Sequence, residues 1–453
     1  MFSNSEYTRD LLGRDFATIW HPNHQIQNHE SISLVALARA KGLWLEDTDG
    51  NKYLDAISSC GVNLFGHSHA GISSAIRKQL DVLESVPLSG FTHELIVELT
   101  EQILSLAPEG LSRCFYTETG STAIEAAIKM SFHYWQNNAK PSKRKFVTLS
   151  NSYHGETIGA LSLSNLDQYT SAYQSLLFDV ITVPSPDCYY REQGEDEKDY
   201  VTRMFVPMDE VLAEQHNEIA AVVVEPLVQA RGYMRMYHGQ YLKLLSKACD
   251  HHGIHLIADE TEVGFGRTGS MFACDCAGVS PDIMCLSKGL TNGCFPMSVT
   301  VTTEEIYQAI DEGFREARPF THSSSNAGNP LACAAAVATM NLMQDDRVME
   351  NNQGLSALTW RCGEHMLDHP NVSDVRQAGM VFAIEMAKDK ATKQPFLAHE
   401  QKGPRACQHA VANHVLFQSA GDVLYFMPPY VIEPELLKMG VEVMCESVDA
   451  ALS

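Results

Sequence analysis

Three apolar runs of the 453-residue chain each end in a charged residue. Ile219 to Val224 (IAAVVV) runs into Glu225-Pro226, Leu256 to Ala258 into Asp259-Glu260, and Ile283 to Leu286 into Ser287-Lys288-Gly289. Continuous Val/Ile/Leu runs predict strands of a parallel sheet buried on both faces, and ligands of such sheets sit outside the carboxyl ends of the strands. The pattern thus delivers Glu225, Asp259 and Lys288 toward one edge. Taken singly, a strand-end acid is as often simply solvated, and a strand-end lysine is usually a surface residue. A lysine opposite a buried carboxylate is different: desolvation lowers its pKa and frees its amine as a nucleophile toward carbonyls.

A second signal is Thr119-Gly120-Ser121-Thr122, which opens the Ala-rich helix predicted over Ser121 to Trp135. Small residues at a helix N-terminus let backbone N–H groups approach an anion, and the helix dipole favours negative charge there. By itself the motif is an ordinary N-cap, which Ser and Thr favour. Combined with a lysine able to condense with an aldehyde, it points to a cofactor carrying both an aldehyde and a phosphate, pyridoxal 5′-phosphate. Tyr153 follows the strand Lys145 to Leu149 and can stack on a flat heterocycle or cover the core as a loop aromatic. The glycine-rich segment Gly264 to Gly269 (GFGRTG) lacks the lysine of a phosphate-binding P-loop and follows Asp259 too closely for a dinucleotide fingerprint.

Several elements must position these groups. Ile96, Leu99, Ile103 and Leu106 mark one face of a helix over His93 to Ala107, ended by Pro108. A further helix is predicted over Gln240 to His251. Helices alternating with apolar strands over roughly residues 70–320 predict an α/β domain with a mostly parallel sheet. Residues 42–55 read as a β-meander around Asp47-Thr48-Asp49-Gly50, and the segment from 330 on mixes helices with short strands. Residues 1–69 and 321–453 are therefore expected to form a smaller α+β domain from both chain ends. Tyr190 to Asp199 reads as a solvated surface excursion.

The net charge, 33 minus 56 or −23, repels phosphate backbones and anionic lipid, which argues against nucleic-acid and membrane partners. Asn326 to Met343, the longest uncharged stretch of interest, is rich in Ala and reads as a core helix rather than a membrane span. MFSNSEYTRD at the start has no basic-then-apolar pattern of a secretory signal. The 12 cysteines are scattered with no CxxC pair, so reduced thiols in a cytoplasmic protein are expected and no metal site is.

As a set, IADE at 257–260, GFGRTG at 264–269, LSKGLTNG at 286–293, NSYHGETIGALS at 151–162 and NAGNPLACAAA at 326–336 resemble the class III pyridoxal-phosphate aminotransferases. The spacing of Asp259 and Lys288, 288 minus 259 or 29 residues, is similar too. The resemblance covers nearly the whole chain. It implies the fold type I architecture and a homodimer with active sites at the interface. The substrates would be a small-molecule amine donor and a carbonyl acceptor. By position, Lys288 resembles the lysine that bonds the cofactor and carries the proton between substrate and cofactor. Asp259 resembles the partner of the pyridine nitrogen, and Gly120 and Ser121 the phosphate cradle. Glu225 falls among the cofactor-binding residues. Tyr153 resembles the ring-stacking tyrosine, which also lines the substrate pocket. Ser325 stands where a threonine usually reaches the phosphate of the neighbouring subunit. Arg267 and Tyr425 resemble substrate-pocket residues. These first steps are shared with aminomutases and decarboxylases of the same class, which stay open at this point. Retention of both Lys288 and Asp259 speaks against a non-catalytic scaffold.

IWHP at 19–22, KMSFHYWQ at 129–136, MRMYH at 234–238, PDIMCLSKGLT at 281–291 and LYFMPPYVI at 424–432 resemble the branch of the class that serves biotin synthesis. That likeness places Trp20, Asn23, Cys60 and Gln418 at the substrate pocket, and three of them depart from the branch. Asn23 stands for a tyrosine after IWHP. Cys60 and Gly61 stand for two tryptophans. Gln418 stands for an arginine that holds the substrate carboxylate. The cofactor half of the pattern is intact while the substrate half is rewritten, which leaves two expectations: the biotin-branch reaction, or another donor and acceptor.

Overall fold

Valine, isoleucine and alanine fill the strands that carry the charged ends, and every residue of Ile219–Val224, His255–Asp259 and Ile283–Leu286 is buried. The structure, a computed structural model, describes residues 5–22, 34–192, 194–312 and 319–453. The chain divides into two compact units. One comprises Ala70–Gln353 with Ala378–Met380, and the other Met1–His69, Gly354–Gln377 and Val381–Ser453. Residues 321–353 thus cluster with the larger unit.

The larger unit is built on seven strands: β1 (Leu111–Thr117), β2 (Lys145–Leu149), β3 (Ile181–Val183), β4 (Ile219–Val224), β5 (His255–Asp259), β6 (Ile283–Leu286) and β7 (Ser298–Thr303). Their order is β1-β7-β6-β5-β4-β2-β3. β7 runs antiparallel to both of its neighbours, and all other pairs are parallel. The apolar-run rule does not find β7, because its sequence SVTVTT alternates hydroxyls with valines. Those hydroxyls are buried and bonded: Ser298 Oγ donates to the Thr119 carbonyl at 2.7 Å and Thr300 Oγ1 to the Ala123 carbonyl at 3.0 Å. A buried hydroxyl with a partner costs little, so the strand tolerates them.

Those carbonyls belong to the cap and first turns of helix α1 (Gly120–Asn137). Thr119 is its N-cap and forms a capping box with Thr122: each side chain accepts the other's backbone N–H, at 3.2 and 2.9 Å. Ala123, Ala126 and Ala127 let the helix lie close to the sheet, where they pack with Ala220, Val223, Ile257 and Ile283. Helix α2 (Gln240–His252) joins β4 to β5 and ends at Gly253, whose φ of +61° gives the left-handed C-cap. Helix α3 (Pro330–Met343) is the predicted Ala-rich helix, almost wholly buried and capped by Asn329.

In the smaller unit, Leu37–Lys41, Trp44–Asp47 and Lys52–Asp55 form the expected antiparallel meander, with Val415–Leu416 added in parallel. A second sheet holds Val372–Ala378, Val381–Met386, Val423–Phe426 and Gln418–Ala420 in that order. The helices Lys402–Ala412 and Pro434–Leu452 lie against each other. Within Tyr190 to Asp199 the described residues are mostly exposed, but Asp196 caps a helix, Glu197–Met204, that its charge had hidden. Among the described residues, no helix is long and apolar enough to cross a membrane.

Candidate active site

β4, β5 and β6 are neighbours in register: Val224 pairs with Ala258, and Asp259 with Cys285. Glu225 and Asp259 therefore leave the sheet side by side, and Lys288 emerges just past the end of β6. Lys288 opens a 3₁₀ turn with φ +40°, a left-handed conformation that costs a non-glycine residue on the order of 1–3 kcal/mol. Ser287 anchors that turn, its hydroxyl donating to the Met297 carbonyl at 2.9 Å.

Asp259 is 3% exposed, and both carboxylate oxygens are engaged. Oδ2 lies 2.7 Å from His154 Nδ1, and Oδ1 accepts from the Thr261 N–H at 3.1 Å and hydroxyl at 2.6 Å. The His154 side chain is fully buried, with Thr148 Oγ1 at 3.5 Å from its Nε2. Glu225 accepts from the Tyr153 N–H and the Ala230 N–H, each at 3.0 Å. Burial first, and then the charge of Asp259, push the Glu225 carboxyl well above its usual range, against the pull of those N–H groups and of Lys288. Two carboxyls this close oppose one another's ionisation, and Glu225 is the one pushed up. The next acid, Glu260, points elsewhere. It accepts the Ala273 and Cys274 N–H groups at 2.9 and 2.7 Å and pins the loop after β5, and burial raises its pKa to about 7.

Tyr153 is held at both ends, by its N–H on Glu225 and by its hydroxyl donating to Glu156 Oε1 at 2.8 Å. Burial and the Glu156 bond raise its pKa, while the charge of Arg231 acts the other way. The N-terminus of α1 is close-packed. A Cβ on Gly120 would stand 3.2 Å from a Thr261 methyl, and one on Gly155 would fall 2.1 Å from Ser121 Oγ. Gly155 also has φ +128°, so no other residue fits there without displacement. Glu125 fastens the Gly155 loop to α1 by accepting from Thr157 Oγ1 at 2.6 Å and the Gly159 N–H at 2.7 Å. Arg267 is buried in the loop after β5, its carbonyl accepting the Met380 N–H at 2.8 Å. Ser325 lies exposed in the turn before α3.

The arrangement suits pyridoxal phosphate. An amine, a carboxylate with a buried histidine behind it, and an 18-residue helix opening with two close-packed small residues all belong to one unit. Gly120 and Gly155 keep side chains off the helix N-terminus, where a phosphate is bound best.

The remaining predicted residues belong to the smaller unit. Cys60 is half-buried in Ser58–Gly61, where four consecutive residues have positive φ, at +50°, +46°, +67° and +82°. Ser58 Oγ donates to the Met427 carbonyl at 2.8 Å, which ties this loop to the end of the strand Val423–Phe426. Tyr425, buried in that strand, pairs with Gln418 across the sheet and donates its hydroxyl to Gln418 Oε1 at 2.6 Å. Trp20 is 90% exposed, beyond the helix Glu6–Thr18. Asn23 lies outside the described residues.

A seven-stranded, mostly parallel sheet in this order, with α1 opening at its carboxyl edge, is the fold type I architecture of pyridoxal-phosphate-dependent transferases. The chain belongs to the class-III aminotransferases, whose family model matches residues 25–448, and it is a pyridoxal-phosphate-dependent aminotransferase. The chain is 37% identical over 442 residues to the adenosylmethionine-8-amino-7-oxononanoate aminotransferase of Geobacter sulfurreducens, covering 97% of this chain and 98% of that one. The crystal structure of the enzyme of that name from Methanocaldococcus jannaschii superposes with a TM-score of 0.91 at 31% identity, over 97% and 99% of the two chains. An omega transaminase from Pseudomonas jessenii, solved in complex with PMP, gives 0.92 at 27% identity over 97% of each chain.

Three groups at the carboxyl edge escaped the sequence argument: His154, Thr261 and Glu262. His154 is 105 positions from the aspartate it supports, and periodicity carries no sign of so distant a pairing. The available signal was its place beside Tyr153, just past the end of β2. Thr261 and Glu262 could have been flagged by their closeness to Asp259 alone.

Proposed function

We propose that this aminotransferase moves an amino group from adenosylmethionine to 8-amino-7-oxononanoate, the reaction for which its relatives are named. The larger unit is the cofactor-binding domain, and the chain works as a homodimer in the cytoplasm. The observation that carries the catalytic reading is the convergence of Glu225, Asp259 and Lys288 at the ends of three adjacent strands. When bound, pyridoxal phosphate supplies a carbonyl that exchanges amines and a ring that takes up carbanion charge. Lys288 supplies the amine that holds the cofactor, and its Nζ moves the substrate proton. Asp259, fixed by His154 and Thr261, would hold the ring nitrogen with its carboxylate. Glu225 accepts the Tyr153 and Ala230 N–H groups and so fixes the backbone beside the ring. Gly120 and Ser121 bind the phosphate with backbone N–H groups and a hydroxyl, and Ser325 reaches the phosphate of the neighbouring subunit. Tyr153 stacks on the ring and bounds the pocket, while Trp20, Asn23, Cys60, Arg267, Gln418 and Tyr425 contact substrate.

A second reading keeps the chemistry and changes the acceptor. It is favoured by Gln418, which carries no charge and whose amide oxygen is already bonded to Tyr425. The deciding experiment follows the absorbance of the bound cofactor through each half-reaction. Adenosylmethionine is offered first, then 8-amino-7-oxononanoate or a series of neutral ketones and aldehydes. Preference for the acidic acceptor by orders of magnitude upholds the first reading. Equal or better use of neutral carbonyls replaces it with the second.

A further inference from the structure

Glu262 lies four residues past the last fully apolar position of β5, and its carboxylate is ion-paired with the Lys288 ammonium. Both side chains are largely enclosed, at 16% and 24% exposure. The neighbours explain why the lysine finds this carboxylate. Asp259 has one oxygen on His154 and the other on Thr261. Glu225 has both oxygens on backbone N–H groups, and burial pushes its carboxyl well above its usual range. Tyr153 is occupied by Glu156, and Arg231 adds a positive charge on the Tyr153 side. Glu262, at the same edge, pairs with the amine.

We propose that Glu262 is a positioning residue for Lys288, holding its nitrogen at the carboxyl edge and stabilising the protonated form of that nitrogen both free and when bonded to cofactor. The inference rests on the reading of Lys288 as the lysine that bonds the cofactor. A carboxylate in contact with a nitrogen cation favours the charged state, and in partly enclosed sites one opposite charge moves a pKa by about 1–3 units. The proton is held at Lys288 Nζ, and Glu262 itself stays ionised. A neighbour of this kind sets the pH at which the lysine can give up its proton, which a neutral side chain of the same shape cannot do.

The test is a pH titration of the absorbance of the cofactor-loaded protein in the wild type, Glu262→Gln and Glu262→Asp. In parallel, borohydride reduction and peptide mapping identify the residue that carries the cofactor. Removing the negative charge destabilises the cation, so the midpoint of Glu262→Gln is expected to fall by about one unit or more. Glu262→Asp keeps the charge on a shorter arm, and its midpoint is expected to stay above that of the Gln variant. A merely structural role would alter folding or loading but would not order the two midpoints by charge. If Lys288 carries the cofactor in all three proteins and the midpoints coincide or rise in Glu262→Gln, the proposal is overturned while the reading of Lys288 stands. If another residue carries the cofactor, both fall. Should Glu262→Gln fail to load, the Asp variant decides: a midpoint near the wild type supports the proposal, and one lowered by more than about a unit overturns it.

Discussion

The carboxyl edge of the large sheet and the Ser58–Gly61 loop of the smaller unit hold their key residues by opposite means. At the edge, position comes from three in-register strands, and each ionisable group is fixed by partners: Asp259 by His154 and Thr261, Glu225 by two backbone N–H groups, Lys288 by Glu262. In the loop, Ser58, Ser59 and Cys60 all take the left-handed conformation, in which each non-glycine residue costs on the order of 1–3 kcal/mol. That strain is held by one buried carboxylate, Asp55. It accepts from the Ser59 N–H and hydroxyl at 3.0 and 2.9 Å, and lies 2.8 Å from His67 Nε2. Groups on rigid strands are placed accurately and cannot move without disturbing the core. A strained loop and a short strand can exchange residues freely, and it is there that Cys60 and Gln418 depart from the biotin-branch pattern. On the proposed assignment of site residues, cofactor chemistry and substrate choice would rest on separate foundations in this chain, and variants can test each in turn.

The largest effect is expected at the edge. Lys288→Ala should lose the absorbance of covalently bound cofactor and cut turnover by about 10⁴-fold or more, the upper range for a positioned acid–base group. Wild-type turnover in that variant, without added amine, would remove Lys288 from the reaction. Asp259→Asn should leave fold and cofactor loading largely intact and lower kcat by roughly 10²–10³, the cost of removing one preorganised charge. Full activity there would mean that another group keeps the ring nitrogen charged.

Much of that edge was legible in the sequence, because three apolar strands ending in charge follow from composition alone. The loop was not. Ser58-Ser59-Cys60 carries no turn signal before Gly61, and its conformation is imposed by Asp55 and His67 from outside the run. β7 was missed for a related reason: its alternating Ser and Thr look half-solvated, yet they bond carbonyls of α1. Pairings such as His154 with Asp259 depend on strand order, which periodicity does not encode. Gly120 and Ser121 were found through helix-start chemistry, whereas the reason for Gly155 lies in its contact with Ser121.

On the substrate side the expected changes are smaller and selective. Gln418 offers neutral hydrogen bonds where an arginine would add charge, and a charge-assisted bond is worth roughly 1.5–3 kcal/mol. Gln418→Arg should therefore improve kcat/KM for an acceptor carrying a carboxylate by about 10- to 150-fold, with little change for the same ketone lacking it. An equal change for both acceptors would show that position 418 does not read the carboxylate. Absorbance of the bound cofactor should match the wild type, since nothing at the sheet edge has been altered.

The smallest effect is expected from Asp55→Asn, which loosens the loop without touching Cys60. Burial disfavours the ionised Asp55, but the bonds from His67 and Ser59 together with the charge of His67 outweigh it, and the carboxyl lies below its ordinary value of 3.8. A depressed carboxyl pKa stabilises the fold above the unfolded value and loses that contribution as pH falls through the folded one. His67 Nε2 lies 2.8 Å from Asp55 Oδ2, and its Nδ1 lies 3.3 Å from Asn63 Nδ2. Asparagine can replace the oxygen facing the backbone but not the charge facing His67. The variant should lose about 1–3 kcal/mol of stability at neutral pH, the cost of leaving buried polar groups poorly paired. In urea titrations the gap between wild type and variant should narrow as pH falls below about 3.8. KM for the carbonyl acceptor should rise by less than about tenfold, equivalent to under 1.4 kcal/mol, with cofactor absorbance unchanged. A gap that does not narrow in acid would mean that packing, and not the Asp55 charge, holds the loop. A lost cofactor signal would break the separation between loop and edge.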